Sequence, residues 1–225
     1  MLARIVDALS PQNDQFFVEI GPGEGALTAE LWQRTPSLEV IEIDRDLAAR
    51  LERRFPGLKV HCADALEFDF TRFPGGMRLV GNLPYNVSTP LLFHLARYAT
   101  AVRDMHFMLQ HEVVERMVAK PSTAAYGRLS VSLQSKFHMA KLFKVAPGAF
   151  RPAPKVDSAL VRMEPLAWAL PIDEELLRKA FSARRKTLRN ALPGIDFAAA
   201  GIDPGLRPEN LSPEDYARLS IDSAL

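Results

Sequence analysis

Phe16-Phe17-Val18-Glu19-Ile20-Gly21-Pro22-Gly23-Glu24-Gly25 decides the fold. Residues 16–20 are bulky and mostly apolar, which reads as a buried strand, and the glycine-rich run after them stops it. Residues 26–34 then read as a helix, so Gly21 and Gly23 sit at a strand-to-helix turn. Glycine there accepts positive φ and lets a ligand approach the backbone closely. A lone Gly-x-Gly is weak, because an ordinary turn uses the same residues. A second feature strengthens the ligand reading. Glu42 closes the next strand, about 20 residues after Gly21, where an acid can hold ribose hydroxyls. Asp44 is near enough to substitute, although capping the helix that starts near Arg45 suits it better. Asp64, just after the third strand, can take an adenine amine or cap a helix.

Working outward, Leu2, Ile5, Val6 and Leu9 repeat at helical spacing. Strands are expected at 16–20, 38–43, 58–62, 79–81 and 106–110, with helices at 26–34, 47–55 and 90–98. That alternation implies crossover units and a parallel sheet covered on both faces. Residues 129–137, 141–145 and 156–163 then look like strands with fewer helices between them, which suggests an antiparallel edge. The proline-rich stretch 147–154 is an irregular loop, and 165–171 a linker. Beyond it, 173–192 and 213–219 read as helices, the second capped by Ser212. The expectation is an α/β body over residues 1–166, mostly parallel with an antiparallel edge. A small helical domain follows at 167–225.

The 225 residues are 48% hydrophobic and carry a formal net charge of +1. A nucleic-acid contact must therefore come from a local patch and not from a global field. Cys62 is the single cysteine, so no disulfide can form within the chain, which fits a cytoplasmic protein. No apolar run approaches the ~18 residues of a membrane span. The first residues lack the basic region and apolar core of a signal peptide. His111-Glu112-Val113-Val114-Glu115 is not a His-Glu-x-x-His motif, and no metal is expected.

Asn82-Leu83-Pro84-Tyr85 follows the fourth strand and leads into Asn86-Val87-Ser88-Thr89-Pro90. A polar Asx turn could look like this. The same residues also suit a planar base with an exocyclic amine. The Asn82 side-chain oxygen and a carbonyl near Pro84 can each accept a hydrogen bond from the amine. Acceptors outside the ring plane draw the nitrogen toward tetrahedral geometry and free its lone pair for attack. Tyr85 can stack on the base, worth roughly 1–3 kcal/mol. Two cofactors fit the glycine turn. A nicotinamide enzyme prefers Gly-x-Gly-x-x-Gly and needs a hydride-handling site, which is not visible. S-adenosylmethionine accounts for more: its nucleoside would meet Glu42 and Asp64, and its methyl would point toward Asn82.

Residues 178–189 hold several basic side chains and no acid. On one continuous helix Leu177, Phe181, Leu188 and Leu192 make an apolar face, with Arg178, Arg185 and Arg189 in one stripe beside it and Lys179 and Lys186 in another. Such a helix can ride along phosphates, or present a solvated basic face. Arg184 falls inside the apolar face and calls for a carboxylate partner.

Several motifs together resemble one family, the adenine dimethyltransferases of ribosomal RNA, in particular the bacterial small-subunit (KsgA/RsmA) group. They are Glu19-Ile-Gly-Pro-Gly, Val40-Ile-Glu-Ile-Asp44, Asp64-Ala65, Asn82 through Pro90, Tyr126-Gly-Arg-Leu-Ser130, Phe150-Arg-Pro-Ala-Pro-Lys-Val-Asp-Ser158 and Arg184-Arg-Lys-Thr-Leu-Arg-Asn190. The resemblance runs from end to end. It implies a Rossmann-like class I methyltransferase sheet and transfer of two methyl groups from S-adenosylmethionine to N6 of each of two adjacent adenosines near the 3′ end of small-subunit rRNA. It also implies a role in late subunit assembly, with rRNA in the 30S subunit or its precursor as partner. By matching position, Glu19, Gly21, Gly23, Glu42, Ile43, Asp64, Ala65 and Asn82 would contact the cofactor. Asn82, Leu83, Pro84, Tyr85 and Phe150 would hold the target base, and Arg178, Arg185, Lys186 and Arg189 the RNA. A monomer is expected. Family members begin with a basic segment containing a Phe-Gly-Gln-Asn-Phe-Leu type motif, and Met1-Leu2-Ala3 aligns with the helix after it, so a shortened amino terminus is expected. The alternatives are a methyltransferase of another nucleic acid, a non-catalytic assembly factor on the same fold, and a nicotinamide oxidoreductase.

Overall fold

The computed structural model describes residues 1–84, 86–149 and 154–222. Tyr85 and Phe150, both expected to hold the target base, lie outside the described residues. The chain divides into two compact units, Met1–Val114 with Ala140–Pro165, and Glu115–Met139 with Leu166–Leu225. The second unit thus combines two stretches of chain, where the sequence reading has one.

The first unit opens with helix α1 (Leu2–Leu9), which buries Ile5, Val6 and Leu9. Then come β1 (Phe17–Ile20), α2 (Ala26–Trp32), β2 (Leu38–Glu42), α3 (Arg45–Arg54), β3 (Lys59–Cys62), β4 (Met77–Asn82), α4 (Ser88–Leu95) and β5 (Val102–Gln110). Helix α5 (His111–Met117) runs across the division into the second unit, where α6 (Arg128–Gln134) follows. Strand β6 (Phe137–Val145) returns to the first unit, which β7 (Ser158–Pro165) completes. The sheet order is β3-β2-β1-β4-β5-β7-β6. The first five strands pair in parallel, and β7 runs antiparallel to β5. The mostly parallel sheet with an antiparallel edge is therefore as expected.

Central strands read as continuous apolar runs because both faces are covered. All of β1 is buried, and so is β4 up to its last residue, whereas edge strand β3 is half exposed. Val6, Phe17, Leu31, Leu38, Leu51, Val80, Met108 and Leu160 belong to one core cluster. The chain moves outward from β1 to β2 and β3, then returns to β4 on the other side of β1. That reversal opens a crevice at the carboxyl ends of β1 and β4, where open α/β sheets bind ligands.

Two expectations fail in the second unit. Residues 129–137 were expected as a strand, yet 128–134 form α6. Leu129, Val131 and Leu133 alternate with Ser130 and Ser132, imitating a half-buried strand. The serines are as buried as the leucines, because the Ser130 hydroxyl donates to the Arg116 carbonyl and the Ser132 hydroxyl to Glu174. The single helix at 173–192 is also divided, into α7 (Glu174–Ser182) and α8 (Leu188–Ala191). Thr187 takes an extended conformation, and the Leu188 and Arg189 amides donate to the Leu206 and Pro204 carbonyls instead of continuing α7. Three cations in succession, Arg184 to Lys186, occupy the break. Helix α9 (Pro213–Asp222) completes a core of Tyr126, Val131, Leu177, Leu188, Tyr216 and Leu219.

Candidate active site

Strand β1 ends in a loop that only glycine fits comfortably. Gly21 and Gly23 have φ of +66° and +57°, and a Cβ at either would meet nothing within 4 Å, so open space faces the backbone. Glu42 holds the loop. One carboxylate oxygen accepts the Gly23 N–H and the other the Asp44 N–H, each at 3.0 Å. Asp44 itself caps α3, accepting the Asp46 and Leu47 amides at 2.8 and 3.1 Å. From α3, Arg54 donates to the Glu24 carbonyl at 2.6 Å and Arg50 pairs with the Glu24 carboxylate.

Glu19 lies beneath this loop, 2% exposed, and accepts the Thr28 hydroxyl at 2.7 Å. Desolvation pushes its carboxyl up to about 7; the Thr28 bond opposes that shift and the charge of Glu42 adds to it. Such a carboxylate is short of a positive neighbour.

Asn82 ends β4 exposed, at the carboxyl edge of the sheet. Leu83 turns its side chain inward, 1% exposed, while its N–H donates to the Met108 carbonyl. It braces the loop and cannot offer a broad face to a base. The Pro84 carbonyl accepts the Val87 N–H at 3.2 Å, closing a turn and keeping one lone pair.

One cavity of about 530 Å³ gathers Glu19, Gly21, Gly23, Asn82, Leu83 and Pro84 in its walls. Glu42, Ile43, Asp64 and Ala65 stand at the ends of β2 and β3, outside those walls. Ile43 is 64% exposed there, an unusual place for a large apolar side chain unless something flat covers it. Asp64 accepts the Leu66 N–H at 2.8 Å, a local turn that leaves its other oxygen available. Sequence reasoning missed His106 of β5, which also lines the cavity. Its only signal is a titratable residue just before the apolar run Phe107-Met108-Leu109 of that strand. The glycine cradle, the acid at the end of β2, the exposed Ile43 and the uncompensated Glu19 suit a nucleoside carrying a cationic amino-acid end.

A family model described as ribosomal RNA adenine dimethylase matches residues 1–223. The chain belongs to the ribosomal RNA adenine dimethylase family. A ribosomal RNA small subunit methyltransferase A of Chromobacterium violaceum is 55% identical over 233 residues, spanning 98% of this chain and 89% of that protein. One from Thiobacillus denitrificans is 55% identical over 228 residues, covering 96% and 89%. Among solved structures, a dimethyladenosine transferase from Plasmodium falciparum aligns with a TM-score of 0.86 at 25% identity, covering 99% of this chain and 94% of that one. The 23S rRNA methyltransferase ErmE gives 0.74 at 26%, covering 100% and 97%.

The four basic residues of this family member expected to hold RNA lie in the second unit. Arg178 is exposed on α7 but forks Glu175, at 2.7 and 2.6 Å. Arg185 and Lys186 stand exposed in the break, and Arg189 is exposed on α8. The single stripe expected for Arg178, Arg185 and Arg189 therefore does not form. Arg184 has the carboxylate partner its position calls for, with its Nε donating to Glu209 at 2.5 Å.

Proposed function

We propose that this chain transfers methyl groups from S-adenosylmethionine to N6 of two adjacent adenosines near the 3′ end of small-subunit rRNA, giving N6,N6-dimethyladenosine. The observation that carries this reading is the meeting of two groups in one cavity: the glycine loop over Glu19, and Asn82-Leu83-Pro84 at the end of β4. The first suits the donor and the second the acceptor.

The bound cofactor supplies an electrophilic methyl carbon on a sulfonium. The residues of the chain do the rest. Glu42 holds the Gly23 loop open and can receive ribose hydroxyls, with Ile43 covering one face of the adenine and Asp64 its amine. On the acceptor side, Asn82 Oδ1 accepts from the target N6 amine, and the lone pair left on the Pro84 carbonyl can accept the second hydrogen. Both acceptors belong to a loop fixed by the Leu83 N–H bond to Met108, so little reorganisation accompanies the reaction. Arg185, Lys186 and Arg189 offer phosphate contacts.

Asn82→Ala tests the assignment. The side chain is exposed, so the fold should survive. Removal of one positioned polar group should slow single-turnover methylation of unmethylated small subunits ~10²–10³-fold. A loss below about tenfold would remove Asn82 from the chemistry.

A further inference from the structure

His106 lies on the same side of the sheet as the cavity, and nothing in the methyl transfer above uses it. It is 2% exposed and lines the cavity. Strand register puts Glu19 of β1 beside Val80 of β4, and Val80 beside His106 of β5. Paired residues project from the same face of a sheet, so the carboxylate and the imidazole flank Val80 on one side. With strands about 4.8 Å apart, their backbones are roughly 10 Å apart with Val80 between them, and both residues line the same cavity.

The imidazole is oriented from below. Its Nδ1 faces Asp104 Oδ1 at 3.4 Å, without hydrogen-bond alignment. Arg78 Nε donates to both Asp104 oxygens, at 2.9 and 3.0 Å, and Arg78 Nη1 donates to Gln15 at 2.6 Å. Burial pushes the Asp104 carboxyl up, but the facing His106 and Arg78 hold it below its ordinary value, so it is a carboxylate. A carboxylate beside Nδ1 favours the tautomer with its proton there and makes Nε2 an acceptor. Among the described residues neither ring nitrogen has a hydrogen-bond partner. An acceptor buried without a donor is costly, and a ligand donor would relieve it.

The complement of a carboxylate and an imidazole acceptor is an ammonium group, with three N–H donors and one positive charge. The amine of the target adenine fits less well. It is uncharged, and Asn82, which serves it, pairs with Met108, two residues nearer the strands' carboxyl ends than His106. Resting on the cofactor reading above, we infer that Nε2 of His106, with the Glu19 carboxylate, receives the α-ammonium group of the cofactor's amino-acid end. His106 is then a binding and selectivity residue of the cofactor site.

The test is a titration of the full chain with two probes: S-adenosylhomocysteine, and 4-(adenosylthio)butyrate, which keeps the carboxylate and lacks the amine. His106→Phe should weaken S-adenosylhomocysteine roughly tenfold or more and leave the butyrate within about twofold, as expected for a missing bond to a charged donor. His106→Gln, which keeps an acceptor, should recover part of the loss. If His106→Phe does not fold, His106→Met takes its place in the same comparison. Equal weakening of both probes, or of neither, overturns the inference. So does slower methyl transfer with unchanged S-adenosylhomocysteine affinity, which would put His106 at the target base. A wild-type chain that binds neither probe refutes the cofactor reading itself, an outcome distinct from loss of amine selectivity.

Discussion

Replacing Glu42 with glutamine keeps its shape and removes one acceptor. Both Glu42 oxygens accept backbone N–H groups, from Gly23 and Asp44, and the side chain is 5% exposed. An amide can satisfy only one of these donors. Whichever way it turns, its NH₂ faces the other N–H. The loss is one hydrogen bond to a charged group, about 1.5–3 kcal/mol, with a buried donor left unsatisfied. In a chain of this size that lowers Tm by roughly 3–12 °C. The released Gly23 loop should also weaken the cofactor. Differential scanning calorimetry of Glu42→Gln beside the wild type, with titration of S-adenosylhomocysteine against each, separates the two effects. A lowered Tm with unchanged affinity would move the ribose role to Asp44 and leave Glu42 as the clasp of the loop. Unchanged Tm and unchanged affinity would refute the clasp.

Glu19→Gln should flatten the pH dependence of stability. A carboxyl whose pKa rises from 4.5 to about 7 on folding stabilises the fold below pH 4.5, and that contribution is lost as pH rises through about 7. The wild type should therefore lose up to about 3 kcal/mol relative to Glu19→Gln across that window, and parallel denaturant-unfolding curves at each pH would refute this. Arg185→Ala with Arg189→Ala should weaken binding to rRNA and lower its salt slope by roughly 0.7–0.9 for each phosphate no longer neutralised; an unchanged slope would leave these cations as solvated surface. Tyr85→Ala or Phe150→Ala should slow the second methyl transfer more than the first, because monomethylated N6 keeps only one hydrogen to donate and stacking must hold the base. Nucleoside mass spectrometry with an unchanged mono-to-dimethyl ratio would exclude that.

The sheet was legible because its central strands are buried on both faces and read as plain apolar runs between glycine and proline signals. The loop at Gly21 and Gly23, the acid at Glu42 and the Asn82-Leu83-Pro84 turn were legible because backbone geometry and ligand approach restrict which residues can stand there. Three features were not. Ser130 and Ser132 are buried by hydrogen bonds to partners distant in sequence, so local alternation misreports α6 as a strand. The break between α7 and α8 is stabilised by the Leu206 and Pro204 carbonyls, which no helical wheel contains. His106 carries no motif; its meaning comes from the row it shares with Glu19 and from Asp104 beneath it.

The two-segment second unit has a consequence for synthesis. Tyr126 donates its hydroxyl to the Leu211 carbonyl, 85 positions later in the chain. At ~5–20 residues per second, the first segment waits roughly 4–17 s on the ribosome for its partner. Pro165, the last residue of the sheet, emerges well before that, so the first unit can close while residues 115–136 remain a loop. During the wait Tyr126 and Val131 are apolar groups without their native cover. A chain ending near residue 166 would never leave that condition, and it should aggregate even though every strand of its sheet is present.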